Sequence, residues 1–415
     1  MKFLYDLFIH ILQSLLTVLA WVSPKMKLFV SGRKNLLRKL EHTIPQKKNK
    51  RLWLHAASLG EYEQALPIIR ALKEKNPNLE IIVSFFSPSG YEIRKNNEWA
   101  ICTTYLPLDT PKNAKAFLKI VNPDLILFVK YEIWPNYLKV IAKNDLPCYL
   151  ISAVFRKNHF LFTKFGQFIR KALNSFNHIF VQDQNSLNVL NANGFLNASW
   201  AGDTRYDRVI QQLQQDNHLP IIKSFKKNHK LLVAGSTWPT DEKVILSSLN
   251  ELPKDLKIII APHQVDENHI RKIESMLNVS YRRYSQIDLK SDFDFKLLII
   301  DNIGILSRIY AYADLAYVGG ALGETGLHNI LEPAVFGVPI CIGPNYHKYP
   351  EANLFKAAGA LQIIENTTDF KKTINRMTSD EIYHKKLSEK TQNIVNQQAG
   401  ATIRILNKIG QHLKR

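Results

Sequence analysis

Short apolar runs rich in β-branched residues alternate with helical patterns along the first half of the chain. Runs of this length are typical of parallel strands that are buried on both faces and joined by helices. The predicted strands cover residues 51–55, 80–86, 124–129, 147–153 and 178–182. Residues 111–121 start with proline, a common first helical residue, and are predicted to be one of the connecting helices.

A polar stretch separates this half from a second alternating half. Residues 211–229 are rich in glutamine and lysine and are predicted to be a linker. The alternation then resumes, with predicted strands at residues 230–236, 256–262, 296–301, 314–319, 339–342 and 360–364. The sequence therefore predicts an α/β protein with two Rossmann-like, doubly wound domains facing a cleft. Their predicted bounds are 31–210 and 230–415, the second including a C-terminal helix.

The N-terminal segment has a different pattern. Residues 3–22 are almost continuously apolar, interrupted by Asp6, His10 and Gln13, and about 20 such residues can span a bilayer. Ten lysines and arginines follow between residues 25 and 51, and such a basic block stays on the cytoplasmic side. Residues 1–30 are therefore predicted to be a membrane anchor, either spanning or lying in the interface. An ordinary core helix is the remaining alternative.

The composition narrows the class of protein. At 415 residues and 46% hydrophobic content, the chain can form two folded domains. A net charge of +19 favours an anionic partner, such as a phosphorylated lipid, an anionic membrane or nucleic acid. A charge-driven membrane or nucleic-acid binder without enzymatic activity would explain that charge, but not the ordered polar loops described below. The three cysteines are scattered, which predicts neither a disulfide framework nor a zinc site and fits a reducing compartment.

The most informative segment is 314–344. A buried strand at residues 315–318 runs into a glycine-rich loop, which is predicted to open a helix with His328, Asn329 and Glu332 in its first turns. Bare backbone amides and a helix N-terminus attract phosphate, and a carboxylate suits ribose hydroxyls. The pattern therefore predicts a nucleotide-binding crevice.

Polar residues recur just after the other predicted strands, where open α/β sheets bind their ligands. Glu61 is predicted to begin a helix, where it would be ionised and available as a base, although it could simply cap that helix. Glu132 is predicted to lie in a loop after Lys130, as part of a polar site or of a surface salt bridge. Arg205 suits phosphate or carboxylate, or alternatively an inter-domain ion pair.

The second half adds weaker signals. Pro262 and His263 end one predicted strand, and Gly304 lies at another strand–helix junction. Asp292 and Asp294 match an Asp-x-Asp metal pattern, but they lie in a polar loop and such matches are common by chance. No metal site is predicted.

With these segments in place, the chain resembles the 3-deoxy-D-manno-octulosonic acid (Kdo) transferases of lipid A assembly, which have the GT-B two-domain fold. The resemblance covers nearly the whole chain. The matching segments, in family order, are HAASLGE, PLDTP, YEIWPN, AGDTRYD, AGSTWPTDE, DNIGILSRIYAYADLAYVGGALGETGLHNILEPA and IGPNYHKYPEA.

The resemblance implies roles for individual residues. Glu61 matches the proton acceptor of the family, and Arg205 stands where the family usually has lysine. Lys130 stands where the family commonly has an acid with a role in the reaction, a role that Glu132 could share. A cytidine nucleotide would be held by Pro262, His263, Gly304, Ile305, Leu306, Asn329, Ile330, Leu331 and Glu332.

The activity that the resemblance implies is the inverting, metal-independent transfer of Kdo from CMP-Kdo to a lipid A precursor, with no separate cofactor. The alternative is another membrane-associated GT-B transferase that uses a UDP-sugar and a lipid acceptor. The expected location is the cytoplasmic face of the bacterial inner membrane, on anionic lipid and without nucleic acid. The sequence predicts neither the oligomeric state nor the number of Kdo residues transferred.

Overall fold

The computed structural model describes residues 2–164 and 166–413. The strands, β1 to β14 in chain order, are Arg51–Ala56, Glu80–Phe85, Cys102–Tyr105, Leu125–Val129, Cys148–Ala153, His178–Val181, Ala198–Trp200, Leu231–Thr237, Lys257–Pro262, Tyr281–Arg283, Leu297–Ile299, Leu315–Val318, Ile340–Ile342 and Leu361–Ile363.

The helices, α1 to α19 in chain order, are Lys2–Leu19, Pro24–Ser31, Leu36–Thr43, Leu59–Lys75, Pro88–Arg94, Pro111–Val121, Pro135–Lys143, Gln167–Ala172, Gln184–Ala192, Thr204–Gln212, Pro220–Lys226, Pro239–Leu246, Glu267–Ser275, Leu306–Ile309, Leu331–Ala334, Pro350–Ala357, Thr367–Ser379, Glu381–Gln398 and Ala401–Ile409. The predicted helix at residues 111–121 is confirmed with the same bounds.

Each half of the described chain contains a parallel sheet of seven strands. The first sheet has the order β3-β2-β1-β4-β5-β6-β7, and the second has the order β10-β11-β9-β8-β12-β13-β14. In each sheet the chain first extends to one side and then returns to the other side of the first strand. The order therefore reverses between β1 and β4 and again between β8 and β12, and such reversals are where open α/β sheets bind ligands. The prediction of two doubly wound units is confirmed; their facing a cleft stays a prediction.

All the predicted strands are confirmed, with ends that differ by one or two residues at most positions. The described residues also form three strands that the sequence did not predict, β3, β7 and β10, and each lies at the edge of its sheet. Edge strands are short and partly polar because one side has no neighbour. β7 and β10 are accordingly half-buried or exposed, and they lack the apolar signal of the central strands.

The chain divides into two compact units, and the division differs from the predicted bounds. The first unit contains the described residues up to Arg208 together with those from Ala399 onward, and the second contains Val209–Gln398. The predicted linker is not fully irregular, because α11 lies within it and buries Ile222 and Phe225 in the core of the second unit.

The C-terminal segment was predicted to belong to the second domain, and this was wrong for α19. Its apolar face packs into the core of the first unit, where Ile405 and Ile409 are fully buried. The Asp207 carboxylate accepts backbone hydrogen bonds from Gly400 and Thr402, both at 2.6 Å, which fixes the start of the helix. Because α19 directly follows the second domain along the chain, its packing against the first unit could not be predicted from chain order.

We expect the first unit to depend on α19 for stability. Ile405→Ala removes a side chain with no solvent exposure and should lower the free energy of unfolding by about 2–5 kcal/mol. Ile403→Ala on the same helix, at a position that is 64% exposed, should change it by less than about 0.5 kcal/mol. Urea unfolding followed by tryptophan fluorescence compares the two, because five of the six tryptophans lie in the first unit. Equal effects of the two substitutions would contradict the assignment.

Candidate functional site

Several predicted site residues lie at the reversal of strand order in the first unit. β1 ends at Ala56, and α4 starts three residues later with Glu61 in its first turn. β4 ends at Val129 and is followed by the loop that contains Lys130 and Glu132. Because β1 and β4 are parallel neighbours, both loops leave the same edge of the sheet. The structure therefore brings the two predicted acidic segments to one edge.

Glu61 caps α4, as the structural alternative expected. Its Oε2 accepts hydrogen bonds from the Ser58 backbone N–H at 2.7 Å and from the Ser58 hydroxyl at 3.0 Å. Both contacts use one carboxylate oxygen of a half-buried side chain. The other oxygen, Oε1, has no hydrogen-bond partner among the described residues, so capping and proton acceptance are geometrically compatible.

Glu132 is buried rather than part of a surface salt bridge. Its Oε2 lies 2.7 Å from His55 Nε2 and accepts a hydrogen bond from Trp134 Nε1 at 2.8 Å. The other nitrogen of the fully buried His55 ring lies 2.9 Å from the Ser84 hydroxyl. Side chains from β1, β2 and the loop after β4 thus hold the Glu132 carboxylate in one position. The surface alternative for this residue was wrong.

Lys130 adopts a left-handed backbone conformation, with φ of +62°. Residues other than glycine, asparagine and aspartate rarely adopt this backbone conformation. It costs about 1–3 kcal/mol and tends to occur at functional sites. The turn redirects the chain straight after β4 and leads to the buried position of Glu132.

Arg205 is paired within its own unit. Its guanidinium contacts the Asp203 carboxylate, with Nε at 2.8 Å and Nη2 at 2.7 Å, and its backbone N–H donates to the same carboxylate. Asp203 thereby positions a half-buried cation at the start of α10. The sequence predicted a role for Arg205 but did not identify Asp203 as its partner.

The second unit places three flat rings at its own strand reversal. Trp238 follows β8, His263 follows β9, and His328 lies in the loop after β12. The His263 ring stacks on Trp238 with centroids 4.7 Å apart and lies 4.6 Å from the His328 ring. Trp238 Nε1 donates to His328 Nε2 at 2.9 Å, so Trp238 and His328 form a hydrogen-bonded platform beneath His263.

His328 is held as a neutral ring. Burial, and then the neighbouring His263, lower the pKa of His328 below its ordinary value. Since Nε2 accepts the indole hydrogen bond, the ring proton is on Nδ1. His328 is therefore a fixed N–H donor and stacking partner, a role that the sequence left open.

The glycine-rich loop after β12 is shaped by Asp241. This fully buried carboxylate accepts hydrogen bonds from the backbone N–H groups of Gly320 and Trp238 and from the Tyr317 hydroxyl. Gly320 has φ of +95°, and a Cβ atom at this position would lie 2.0 Å from the Gly326 carbonyl oxygen. Glycine is therefore required where the loop turns back on itself.

The expectation of bare amides needs correction at this loop. The Gly319 N–H donates to the Gly235 carbonyl, and the Gly320 N–H donates to Asp241, so neither is available to phosphate. The amides of residues 321–325 have no protein acceptor within the described part of the chain. An anion at this loop would meet those amides instead.

The helix after the loop is shorter than predicted. α15 covers only Leu331–Ala334, so Ile330 and the preceding His328 and Asn329 lie outside it. Asn329 Oδ1 accepts from the Leu331 N–H at 3.1 Å, and its Nδ2 donates to Glu332 Oε1 at 3.1 Å. This local bonding starts the helix late and orients the Glu332 carboxylate.

The remaining predicted nucleotide residues lie at the same edge. Pro262 is the last residue of β9, Gly304 turns with φ of +99° after β11, and Ile305 precedes Leu306 at the start of α14. α15 contacts the turn at Tyr310–Tyr312 that follows α14. Burial, and then the charge of Glu332, raise the pKa of Tyr310 in this turn. The second-unit residues therefore form one cluster.

Comparison with known proteins identifies the family. A family model described as 3-Deoxy-D-manno-octulosonic-acid transferase (kdotransferase) matches residues 34–208, which contain Glu61, Glu132 and Arg205. The 3-deoxy-D-manno-octulosonic acid transferase of Rickettsia prowazekii is 29% identical over 320 residues, covering 75% of this chain and 67% of its own. The enzyme of the same name from Aquifex aeolicus is 27% identical over 334 residues, covering 79% and 86%. These matches support a Kdo transferase.

Members of this family are glycosyltransferases, and so is this chain. Among solved structures, the UDP-GlcNAc 2-epimerase from Neisseria meningitidis bound to UDP-GlcNAc has a similar fold, with a TM-score of 0.61 and 14% identity over 87% of this chain and 100% of its own. That likeness supports the GT-B assignment of this Kdo transferase. The roles of the individual site residues stay predictions.

Proposed function

We propose that this chain transfers Kdo from CMP-Kdo to a lipid A precursor during lipopolysaccharide synthesis. The observation that carries the proposal is the family match over residues 34–208, the segment that also contains the predicted base. Kdo is the sugar named for the matched relatives, and the cytidine nucleotide and the lipid acceptor follow from the motif resemblance. The proposed location is the cytoplasmic face of the inner membrane.

The proposed chemistry is a single inverting displacement. Glu61 accepts the proton of an acceptor hydroxyl, and the freed oxygen forms a bond to the anomeric carbon of Kdo. The bond from that carbon to the CMP phosphate oxygen breaks, and CMP leaves with the electron pair. A carboxylate within hydrogen-bond reach of the hydroxyl typically accelerates such a step by 10²–10⁴-fold.

The nucleotide half of the proposal rests on the second unit. Glu332, oriented by Asn329, binds the ribose hydroxyls, and the amides of residues 321–325 meet the phosphate. His263, supported by Trp238 and His328, provides a flat surface at the same edge. CMP carries one phosphate, and these amides of the second unit provide the positive partial charge that stabilises it as it leaves, without a metal.

Glutamine at position 61 separates the two roles of Glu61. Because glutamine also closes a capping box, Glu61→Gln should keep the contact with Ser58 and leave Tm nearly unchanged. It cannot accept the proton, so we expect kcat to fall by about 10²–10⁴-fold while CMP binding persists. Steady-state release of CMP in the presence of the lipid acceptor measures kcat.

Glu63→Gln, on the same helix as Glu61, is the matched control. Glu63 pairs with Arg94 of α5 and Arg208 of α10 and has no proposed part in the reaction. Near-normal turnover by Glu61→Gln would remove the base assignment. A lower Tm of the Glu61→Gln variant would show that its effect on turnover is structural.

Nucleotide selectivity provides an independent test. CMP at 100 times its Kd should stabilise the protein by about 2.7 kcal/mol, and UDP should have no comparable effect. Glu332→Gln should weaken CMP by about 10- to 100-fold, the loss expected for a charged hydrogen bond, yet should not weaken a cytidine nucleotide without ribose hydroxyls. Thermal shift and calorimetry measure both quantities.

Glu381→Gln, at an exposed position at the start of α18 and outside the proposed nucleotide site, is the control for Glu332→Gln. Stabilisation by UDP and not by CMP would favour the alternative UDP-sugar transferase. Equal weakening of both cytidine nucleotides by Glu332→Gln would contradict the ribose contact.

A further inference from the structure

Helix α1 has two apolar faces with different surroundings. On one face, Tyr5, Ile9 and Leu16 pack against Phe29 and Leu108 of the first unit. These positions are four and seven residues apart, so they lie on one face and the packed stripe extends over most of the helix. α1 therefore lies along its unit instead of projecting from it.

Hydrogen bonds hold the same face of α1 against the first unit. The Tyr5 hydroxyl donates to Asp109 Oδ2 at 2.8 Å, and Asn136 Nδ2 donates to Asp6 Oδ1 at 2.8 Å. Asp109 also accepts the backbone N–H groups of Asn136 and Tyr137, which anchors it to the start of α7. Asp6, which interrupts the apolar pattern of the segment, thus has a partner in the folded unit.

The opposite face of α1 is apolar and open to solvent. Phe3 is 77% exposed and Val18 is 66% exposed. The other exposed large apolar side chains of the helix are Leu4, Leu7, Phe8, Ile11, Leu15 and Leu19. A contiguous surface of this kind marks a binding site for an apolar partner.

We propose that α1 lies in the plane of an anionic membrane, with this outer face in the lipid and its inner face on the first unit. A helix packed from residue 5 to residue 16 cannot also cross a bilayer, because its own unit would then have to enter the hydrocarbon. Its 18 residues also span only about 27 Å, slightly less than the hydrocarbon thickness. An interfacial position satisfies both faces at once.

Charge identifies the membrane as the partner. Exposed basic side chains follow α1 within the next 20 residues, namely Lys25, Lys27, Lys34, Arg38 and Lys39. Basic residues beside an apolar helix face attract anionic lipid head groups. A second copy of this chain would carry the same positive charges and would be repelled.

A cavity of about 420 Å³ lies between the second half of α1 and the segment that carries these basic residues. Leu16, Phe29 and Leu36 provide an apolar part of its lining, and Lys34 and Arg38 provide a basic part. This combination matches the junction of an acyl chain with an anionic head group.

The arrangement goes beyond the proposed transfer reaction and can be tested without it. Lys2→Cys and Lys25→Cys flank α1, whereas the native cysteines Cys102, Cys148 and Cys341 are buried and provide an internal control for folding. Each full-length variant is prepared in inverted inner-membrane vesicles and treated with a membrane-impermeant maleimide, with and without detergent. For an in-plane helix, we expect both introduced thiols to react to the same extent. The labelling with detergent divided by the labelling without it should be about 1 at each position.

A severalfold increase at position 2 on adding detergent, with none at position 25, would overturn the proposal in favour of a spanning helix. Labelling of the wild-type protein would reveal unfolding. In that case a second measurement decides, namely flotation of the purified chain with vesicles that contain phosphatidylglycerol or only phosphatidylcholine.

In the flotation experiment, Leu7→Glu combined with Ile11→Glu should reduce binding to the phosphatidylglycerol vesicles by at least about tenfold. Leu196→Glu, at an 83% exposed position of the same unit outside α1, should leave binding unchanged. A lipid-free dimer that is lost in the double variant, without vesicle binding by the wild type, would assign the face to a second copy and contradict the proposal.

Discussion

The parallel arrangement of the strands is the constraint on which both candidate sites depend. A parallel neighbour can be reached only through a crossover, so the strands of each sheet end at one edge. Where the order reverses, between β1 and β4 and between β8 and β12, adjacent loops diverge and leave room for polar side chains. Glu61 and Glu132 lie at the first reversal, and Trp238 and His328 lie at the second. The topology of each sheet thus brings the chemistry-bearing residues to one edge.

The local pattern of apolar residues was sufficient to predict the central strands of the two sheets but not all of the strands at the sheet edges. Buried strands such as β1 and β9 have apolar centres, and the sequence predicted their bounds to within one residue. β7 and β10 have only one neighbouring strand each, and their mixed composition resembles that of a loop. α19 shows a related limit, because packing and not chain order decides which unit a helix joins.

The sequence singled out individual residues of the candidate site but not the hydrogen-bond networks that surround them. Glu61, Glu132 and Glu332 were found because each follows a strand or starts a helix. Their supports are distant in sequence: His55 is 77 residues from Glu132, and Trp238 is 90 residues from His328. A histidine at the end of an apolar strand gives no signal that it holds a carboxylate. The α15 start also depended on a side-chain bond from Asn329, which composition does not reveal.

The central claim is the transfer reaction, and mass spectrometry of the lipid product tests it most directly. The purified full-length protein is incubated with CMP-Kdo and a tetra-acylated lipid A precursor in anionic vesicles that contain a metal chelator. The account predicts a lipid bearing Kdo and the release of one CMP for each Kdo transferred. If the protein is folded, binds the vesicles and binds CMP, yet no Kdo-bearing lipid forms, the account is contradicted.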